Sequence, residues 1–187
     1  KDKESFKKGT EDLKNKATEL TNNIPKGSEN LFGIIGGVIA IINTFLLAVF
    51  SVKVPIFGDY SIGFFKGLGI LADFSKEAKN AQAILLFAGI LFTALAGLLI
   101  YSSIIKNKNI LLYSIIGNAV FLVIFYIILF VKLPGGEAGK YISVSFFKIL
   151  LYLVALVLAF ISYFLLNKVE ENKTSTNNGD DRNEEGL

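Results

Sequence analysis

The chain has 187 residues, 52% of them hydrophobic, a formal net charge of +3, and neither Cys nor His. Disulfides and thiol chemistry are excluded, and the commonest metal ligand and the usual general base near neutral pH are missing. The small positive charge makes no basic stripe of the kind nucleic acid requires.

Mean hydropathy is +0.55, and charge is confined to the ends and the connections. A soluble domain of this size would instead show amphipathic helices with charged outer faces. The composition therefore predicts an all-α membrane protein, a four-transmembrane-helix bundle flanked by polar tails.

Residues 1–30 form a polar tail. Phe6, Leu13, Ala17, Leu20 and Ile24 draw a thin apolar stripe along a short helix starting near Thr10, stopped by Pro25 and Gly27. Four apolar runs follow, 31–52, 81–105, 110–131 and 146–166, uncharged except for Lys148 in the fourth. At about 1.5 Å per residue each is long enough to cross a hydrocarbon core roughly 30 Å thick. The first is too long for a signal-peptide core and ends at no small-residue cleavage site. Together they make one membrane domain, 31–167, with outer loops 53–80 and 132–145. Lys148, at the margin of the fourth run, is expected to snorkel. Residues 168–187 are rich in Asn, Glu and Asp and are expected to be disordered.

Four crossings put both termini on one side. That side carries more Lys and Arg than the other, although charges next to the helix ends are nearly balanced. A Lys-rich tail is also hard to translocate, so both termini are expected in the cytoplasm of a plasma-membrane protein.

The two outer loops share a pattern. Val52-Lys53-Val54-Pro55 precedes Ser61-Ile62-Gly63-Phe64-Phe65-Lys66, and Val131-Lys132-Leu133-Pro134 precedes Ser143-Val144-Ser145-Phe146-Phe147-Lys148. This reads as a tandem helical-hairpin repeat about an axis along the membrane normal. Each loop also reads as a small extracytoplasmic β-hairpin. Val52, Val54 and Ile56 alternate in the first, with a turn at Gly58-Asp59 and then Tyr60, Ile62 and Phe64. The second turns at Gly135-Gly136-Glu137-Ala138-Gly139 and continues with Ile142, Val144 and Phe146. Paired across the pseudo-twofold axis, the hairpins would cap the bundle, with the Pro55 and Pro134 strands at its edges.

Helix association in lipid relies on close backbone approach and polar contacts. Gly33, Gly37 and Gly36, Ala40 offer small-residue ridges on the first helix. Gly89, Thr93 and Gly97 offer one on the second, and Ala155, Ala159 a weaker one on the fourth. These are expected to pack chiefly within the monomer. Tyr101, Tyr113, Tyr126, Tyr152 and Tyr163 include several residues placed as interfacial anchors. Asn43, Thr44, Thr93, Ser114 and Asn118 are polar residues inside the spans. Asn43 and Asn118, nearest mid-membrane, line a polar path in one reading and make interhelical hydrogen bonds in the favoured one.

No catalytic set appears. Asp73 and Glu77 suit a helix start better than a cation site. The glycines of Gly63-Phe64-Phe65-Lys66-Gly67-Leu68-Gly69 lack the Gly-Lys-Ser/Thr ending of a phosphate loop. No nucleophile lies beside a base. The expectation is a protein that is not an enzyme and holds no cofactor or metal. It would work in the lipid bilayer through a protein partner or as a homo-oligomer. A small-solute pore is the first alternative, and an immunity or receptor protein for a membrane-active peptide is the second.

Val52-Lys53-Val54-Pro55 followed by Tyr60-Ser61-Ile62 resembles the first outer loop of an uncharacterised group of Gram-positive membrane proteins. In these a zinc ribbon and a charged linker precede four membrane helices. The resemblance covers the membrane domain and linker and implies that fold. No ribbon cysteines are present, so a ribbon could only lie upstream. Four helices with an outer sheet are also similar to the claudin architecture in shape alone, since the Trp-Gly-Leu-Trp and paired-Cys pattern is missing. The Lys- and Asn-rich, Arg-poor composition suits an AT-rich bacterium.

Overall fold

The computed structural model describes residue 25 and residues 27–54, 58–67, 76–132 and 142–180. Among these, four helices and three strands alternate along the chain. The helices are α1 (Leu31–Leu46), α2 (Lys76–Ile104), α3 (Lys108–Lys132) and α4 (Phe146–Asp180). The strands are β1 (Phe50–Val54) and β2 (Gly58–Ile62), between α1 and α2, and β3 (Ile142–Val144), just before α4. The N-terminal stripe from Phe6 to Ile24, the turn around Gly135–Gly139, and Asp73 and Glu137 lie outside the described residues.

Asn80–Ile104, Lys108–Val131 and Phe146–Glu170 are long and apolar enough to cross a membrane, and α1 is apolar but shorter. The helices close a ring in which α1 packs against α2 and α4, and α3 against α2 and α4. Large apolar side chains cover the outside: Phe87, Tyr113 and Val131 are each more than 60% exposed. In water such a surface drives aggregation, whereas acyl chains solvate it.

The first apolar run does not form one span. α1 ends at Leu46, and Leu47 turns to extended backbone (φ −90°, ψ 140°). The rest of the run, Val49-Phe50-Ser51-Val52, leads into and forms β1. Hydropathy continues unbroken, but β-branched and aromatic residues suit a strand and two partner strands are at hand. With 16 residues, α1 is about 24 Å long at 1.5 Å per residue, short of a roughly 30 Å core.

The strands form one sheet in the order β2-β1-β3, antiparallel throughout. Among the described residues the sheet is a single three-stranded one, not two hairpins paired across an axis. β1 is the central strand, and Phe146 begins α4 instead of extending a strand. Ser51 faces Ser61 on one side and Ser143 on the other, and Phe50 faces Ile62 and Val144 in the same way. β1 tolerates a following proline because its ladder ends at the Val54–Gly58 pair, before Pro55. Gly58, expected in the turn, is already paired and takes φ 91°.

At the opposite end of the bundle, α2 and α3 are joined by a tight turn. Lys106 adopts φ 53°, and Asn107 N–H donates to Ser102 O while Lys106 N–H donates to Ser103 O. This is a Schellman ending for α2. Asn107 Oδ1 then accepts from Asn109 and Ile110 N–H at 3.1 Å each, capping α3. α4 runs past Leu166 to Asp180, so residues 168–180 carry helical backbone where a disordered tail is expected. No Gly or Pro interrupts the chain between Leu166 and Gly179. Lys108 ties the extension to α3 by bonds to Asn167 and Glu170, and an existing helix extends at little cost.

Candidate functional site

A polar cluster sits inside the sheet end of the bundle, and the short α1 explains it. A helix that stops early leaves carbonyls without intrahelical donors. Lys148, in the first turn of α4, supplies them. Its Nζ donates to Asn43 O and to Leu47 O, each at 2.8 Å. Its N–H groups thus meet the negative end of the α1 dipole. The same Nζ lies 4.5 Å from the centroid of the Phe64 ring, a cation–π distance. Lys148 is only 3% exposed, so it does not snorkel. Asn43 completes the link in the other direction, its Nδ2 donating to Lys148 O at 2.7 Å.

A second link joins α2, α3 and α4. Asn118 Nδ2 donates to Leu95 O at 3.1 Å and to Ser114 O at 2.8 Å. Tyr152 Oη donates to Asn118 Oδ1 at 2.5 Å. Asn43 and Asn118 are both fully buried and make interhelical bonds of the kind that hold membrane helices together. Thr44, Thr93 and Ser114 donate back to the carbonyl one turn earlier in their own helices. Tyr152 and Tyr126 are buried core residues, not interfacial anchors. Tyr101 and Tyr113, near helix ends, are exposed.

Between these links lies a small cavity lined by Asn43, Phe64, Phe92, Leu122, Tyr126, Lys148 and Tyr152, with about 10 Å³ open to the centre of a water-sized sphere. Two buried polar atoms, Asn43 Oδ1 and Tyr126 Oη, have no hydrogen-bond partner among the described residues. An aromatic cluster closes the site. The rings of Phe64, Phe92 and Phe125 lie 5.2–5.5 Å apart, and Tyr152 meets Phe92 edge-on at 5.2 Å.

The small residues on α1 face other helices. A Cβ on Gly33 would run into Ser103 Oγ, one on Gly37 into the Ile100 side chain, and one on Gly36 would lie 2.5 Å from Ala155 O. Gly33 and Gly37 therefore face α2 and Gly36 faces α4, with Ala40, Ala155 and Ala159 buried. The α2 ridge behaves differently. Gly89 makes room for Phe64 and Phe65 from the loop, and a Cβ on Gly97 would meet nothing within 4 Å among the described residues. The neighbour that Gly89 receives is a loop and not another helix.

The two Phe-Phe-Lys segments diverge in role. Phe64 is buried beneath Lys148 and Phe65 stacks on Phe45 at 4.7 Å, while Lys66 is exposed. In the second copy Phe146 and Phe147 are exposed and Lys148 is buried. Lys53 is exposed; Pro55 and Pro134 lie outside the described residues, and Lys132 ends α3. Among the described residues no group of acids could hold a metal ion. The residues that sequence reasoning missed are Tyr126, Tyr152 and the buried amino group of Lys148. The spacing of Lys148 and Tyr152, four apart on one helix face, was the available signal. Compared with family models, curated proteins and solved structures, the chain finds no match.

Proposed function

We propose that this is a non-enzymatic, four-pass plasma-membrane protein that acts by association with a membrane partner or with a second copy of itself. Both tails lie in the cytoplasm and the three-stranded sheet faces outward. The observation that supports this reading is the closed interior. Asn43, Asn118, Lys148 and Tyr152 bond to neighbouring backbone or to each other, and tilted aromatic rings pack the sheet end. An inside consumed by its own packing leaves the work to the outside. On that outside, Gly97 leaves room for another backbone, between the exposed Ala94, Leu98 and Tyr101.

The test is the association state of the full chain in lipid nanodiscs and liposomes, by cross-linking and single-molecule photobleaching, with recovery of co-purifying proteins in mild detergent. Association weakened by Gly97→Leu, in a variant that still folds, supports the reading. A strict monomer that recovers no partner refutes it. The second reading is a small-solute conduit, favoured by the cavity between Asn43 and Tyr152. A flux in liposomes abolished by Asn43→Leu and Asn118→Leu with assembly intact would establish it.

A further inference from the structure

Four side chains converge on one small space at the sheet end of the bundle, and their unused hydrogen-bonding capacity is complementary. Asn43 commits Nδ2 to Lys148 O, leaving Oδ1 as an acceptor with no protein donor. Tyr126, 8% exposed, offers a hydroxyl that is likewise unpartnered. Tyr152 has given its proton to Asn118 Oδ1 and keeps lone pairs to accept with. Lys148 spends two N–H groups on Asn43 O and Leu47 O, and an ammonium has three. Among the cavity-lining side chains there are thus two acceptors, Asn43 Oδ1 and Tyr152 Oη, and two donors, Tyr126 Oη and, in the ammonium form, the third Lys148 N–H.

We infer that Asn43, Tyr126, Lys148 and Tyr152 form a binding site for one neutral molecule that donates two hydrogen bonds and accepts two, and that this molecule is water. Size points the same way. About 10 Å³ is open to the centre of a water-sized sphere, close to the one-probe minimum for a single bound water, which needs two to four polar partners. A lipid headgroup or a hydrated ion does not fit. Charge excludes the bare ions of similar size. A cation meets the Lys148 amino group, and an anion meets the Asn43 carbonyl oxygen, whose orientation is fixed by the bond from its own Nδ2. The apolar walls, Phe64, Phe92 and Leu122, offer a displaced molecule no alternative bond. Buried polar groups in native proteins are satisfied by protein or by ordered water, and in a hydrocarbon layer an unsatisfied one is more costly still. Water here joins the last turn of α1, through Asn43, to α3 and α4. The inference stands apart from the association reading, because it concerns the interior and holds whether or not the chain has a partner.

The experiment is water-edited solid-state NMR of the full chain in bilayers of deuterated lipid. Polarisation should pass from water to the Asn43 side-chain amide and the Tyr126 ring about as fast as to exposed Ser61, while fully buried Leu99 stays dark. Tyr126→Phe, which keeps the ring, should lose the transfer to Asn43 while the core aliphatic shifts remain those of the parent chain. Replacing chloride by gluconate should change nothing. The inference is overturned if Asn43 is as dark as Leu99 in the parent chain. It is equally overturned if a folded Tyr126→Phe protein keeps the Asn43 transfer undiminished, or if the Asn43 and Lys148 signals shift with chloride.

Discussion

Lys148→Met tests whether a buried amino group stabilises this bundle or burdens it. The side chain contributes two hydrogen bonds of 2.8 Å to carbonyls at the end of α1 and a ring contact with Phe64 at 4.5 Å. Hydrogen bonds involving a charged group are worth about 1.5–3 kcal/mol each, and a desolvated cation–π contact adds about 0.5–2 kcal/mol. Against this stands the cost of placing Lys in a membrane helix, about 2.5–3.5 kcal/mol at the centre and less in the first turn. Asn43 O keeps a second donor, Leu47 N–H at 3.3 Å, so the loss falls mainly on Leu47 O. The balance is a net destabilisation of about 2 kcal/mol on these scales. The chain has seven Tyr and no Trp, so near-UV circular dichroism during SDS titration from mild detergent reports on Tyr126 and Tyr152, beside the site. Hydrogen exchange at the Leu47 amide should accelerate together with the loss. Lys66→Met, the matching position of the other Phe-Phe-Lys segment, is exposed and should stay within about 0.5 kcal/mol of the parent. If Lys148→Met is as stable as the parent or more so, the amino group is a tolerated charge and the capping argument fails.

Other positions separate packing from hydrogen bonding. Gly36→Ala drives a Cβ to 2.5 Å from the Ala155 carbonyl, which cannot rotate away. It should cost about 1–3 kcal/mol as overpacking, whereas Gly97→Ala, in open space, should gain up to about 1 kcal/mol from helix propensity; the same unfolding titration ranks them, and the reverse order contradicts the assigned contacts. Tyr152→Phe removes the donor to Asn118 Oδ1 and should cost about 1–2 kcal/mol, with non-additivity in a double-mutant cycle with Asn118→Leu. Asn107→Ala should cost about 1 kcal/mol through loss of the α3 cap, visible as faster exchange at the Asn109 and Ile110 amides. Glu29 is held below the usual carboxylate range first by the Gly27 N–H, with partial desolvation opposing and Lys106 assisting. Its folded value lies below the unfolded one, so its contribution is present above the ordinary 4.5 and disappears as pH falls through the lowered value. An acid titration of Glu29→Gln against the parent should show the stability gap closing only in that window.

The helices were readable because lipid imposes a crude rule, long apolar runs with few charges, and the chain obeys it. The predicted 81–105 run corresponds to a span at Asn80–Ile104, and 110–131 to one at Lys108–Val131. Gly33, Gly36 and Gly37 were readable as close-approach positions for the same reason, since only a missing Cβ admits a neighbouring backbone. The end of α1 was not. Residues 47–52 are as apolar as those before them, so hydropathy cannot tell helix from strand there. The decision comes from β2 and β3, one of them some ninety residues away in the register Ser51–Ser143. Every misplaced assignment at the site follows from that one break. With α1 drawn to residue 52, Lys148 has no free carbonyls to meet and its charge is sent to the interface.

The matching loop segments show how one early stop changes the fate of a shared motif. Ser61-Ile62 and Ser143-Val144 lie on either side of β1 against the same residues, Ser51 and Phe50, so the two segments start from alike positions. They part immediately afterwards. In the first, Gly63 N–H bonds Lys66 O at 2.9 Å and Gly67 takes φ 74° close to Ser61 O, so the chain folds back into a loop and Lys66 faces outward. In the second, Ser145 stands where Gly63 does and α4 starts at once with Phe146. One helical turn carries Lys148 beneath the ladder, to the exposed end of α1. The two lysines share a sequence context and differ in what the backbone does three residues earlier. The buried charge therefore depends on two separate features, an α1 too short to satisfy its last carbonyls and an α4 that begins without a glycine turn. A Ser145→Gly substitution alone leaves the first feature in place, so the pull of Leu47 O and Asn43 O on Lys148 should keep α4 starting where it does.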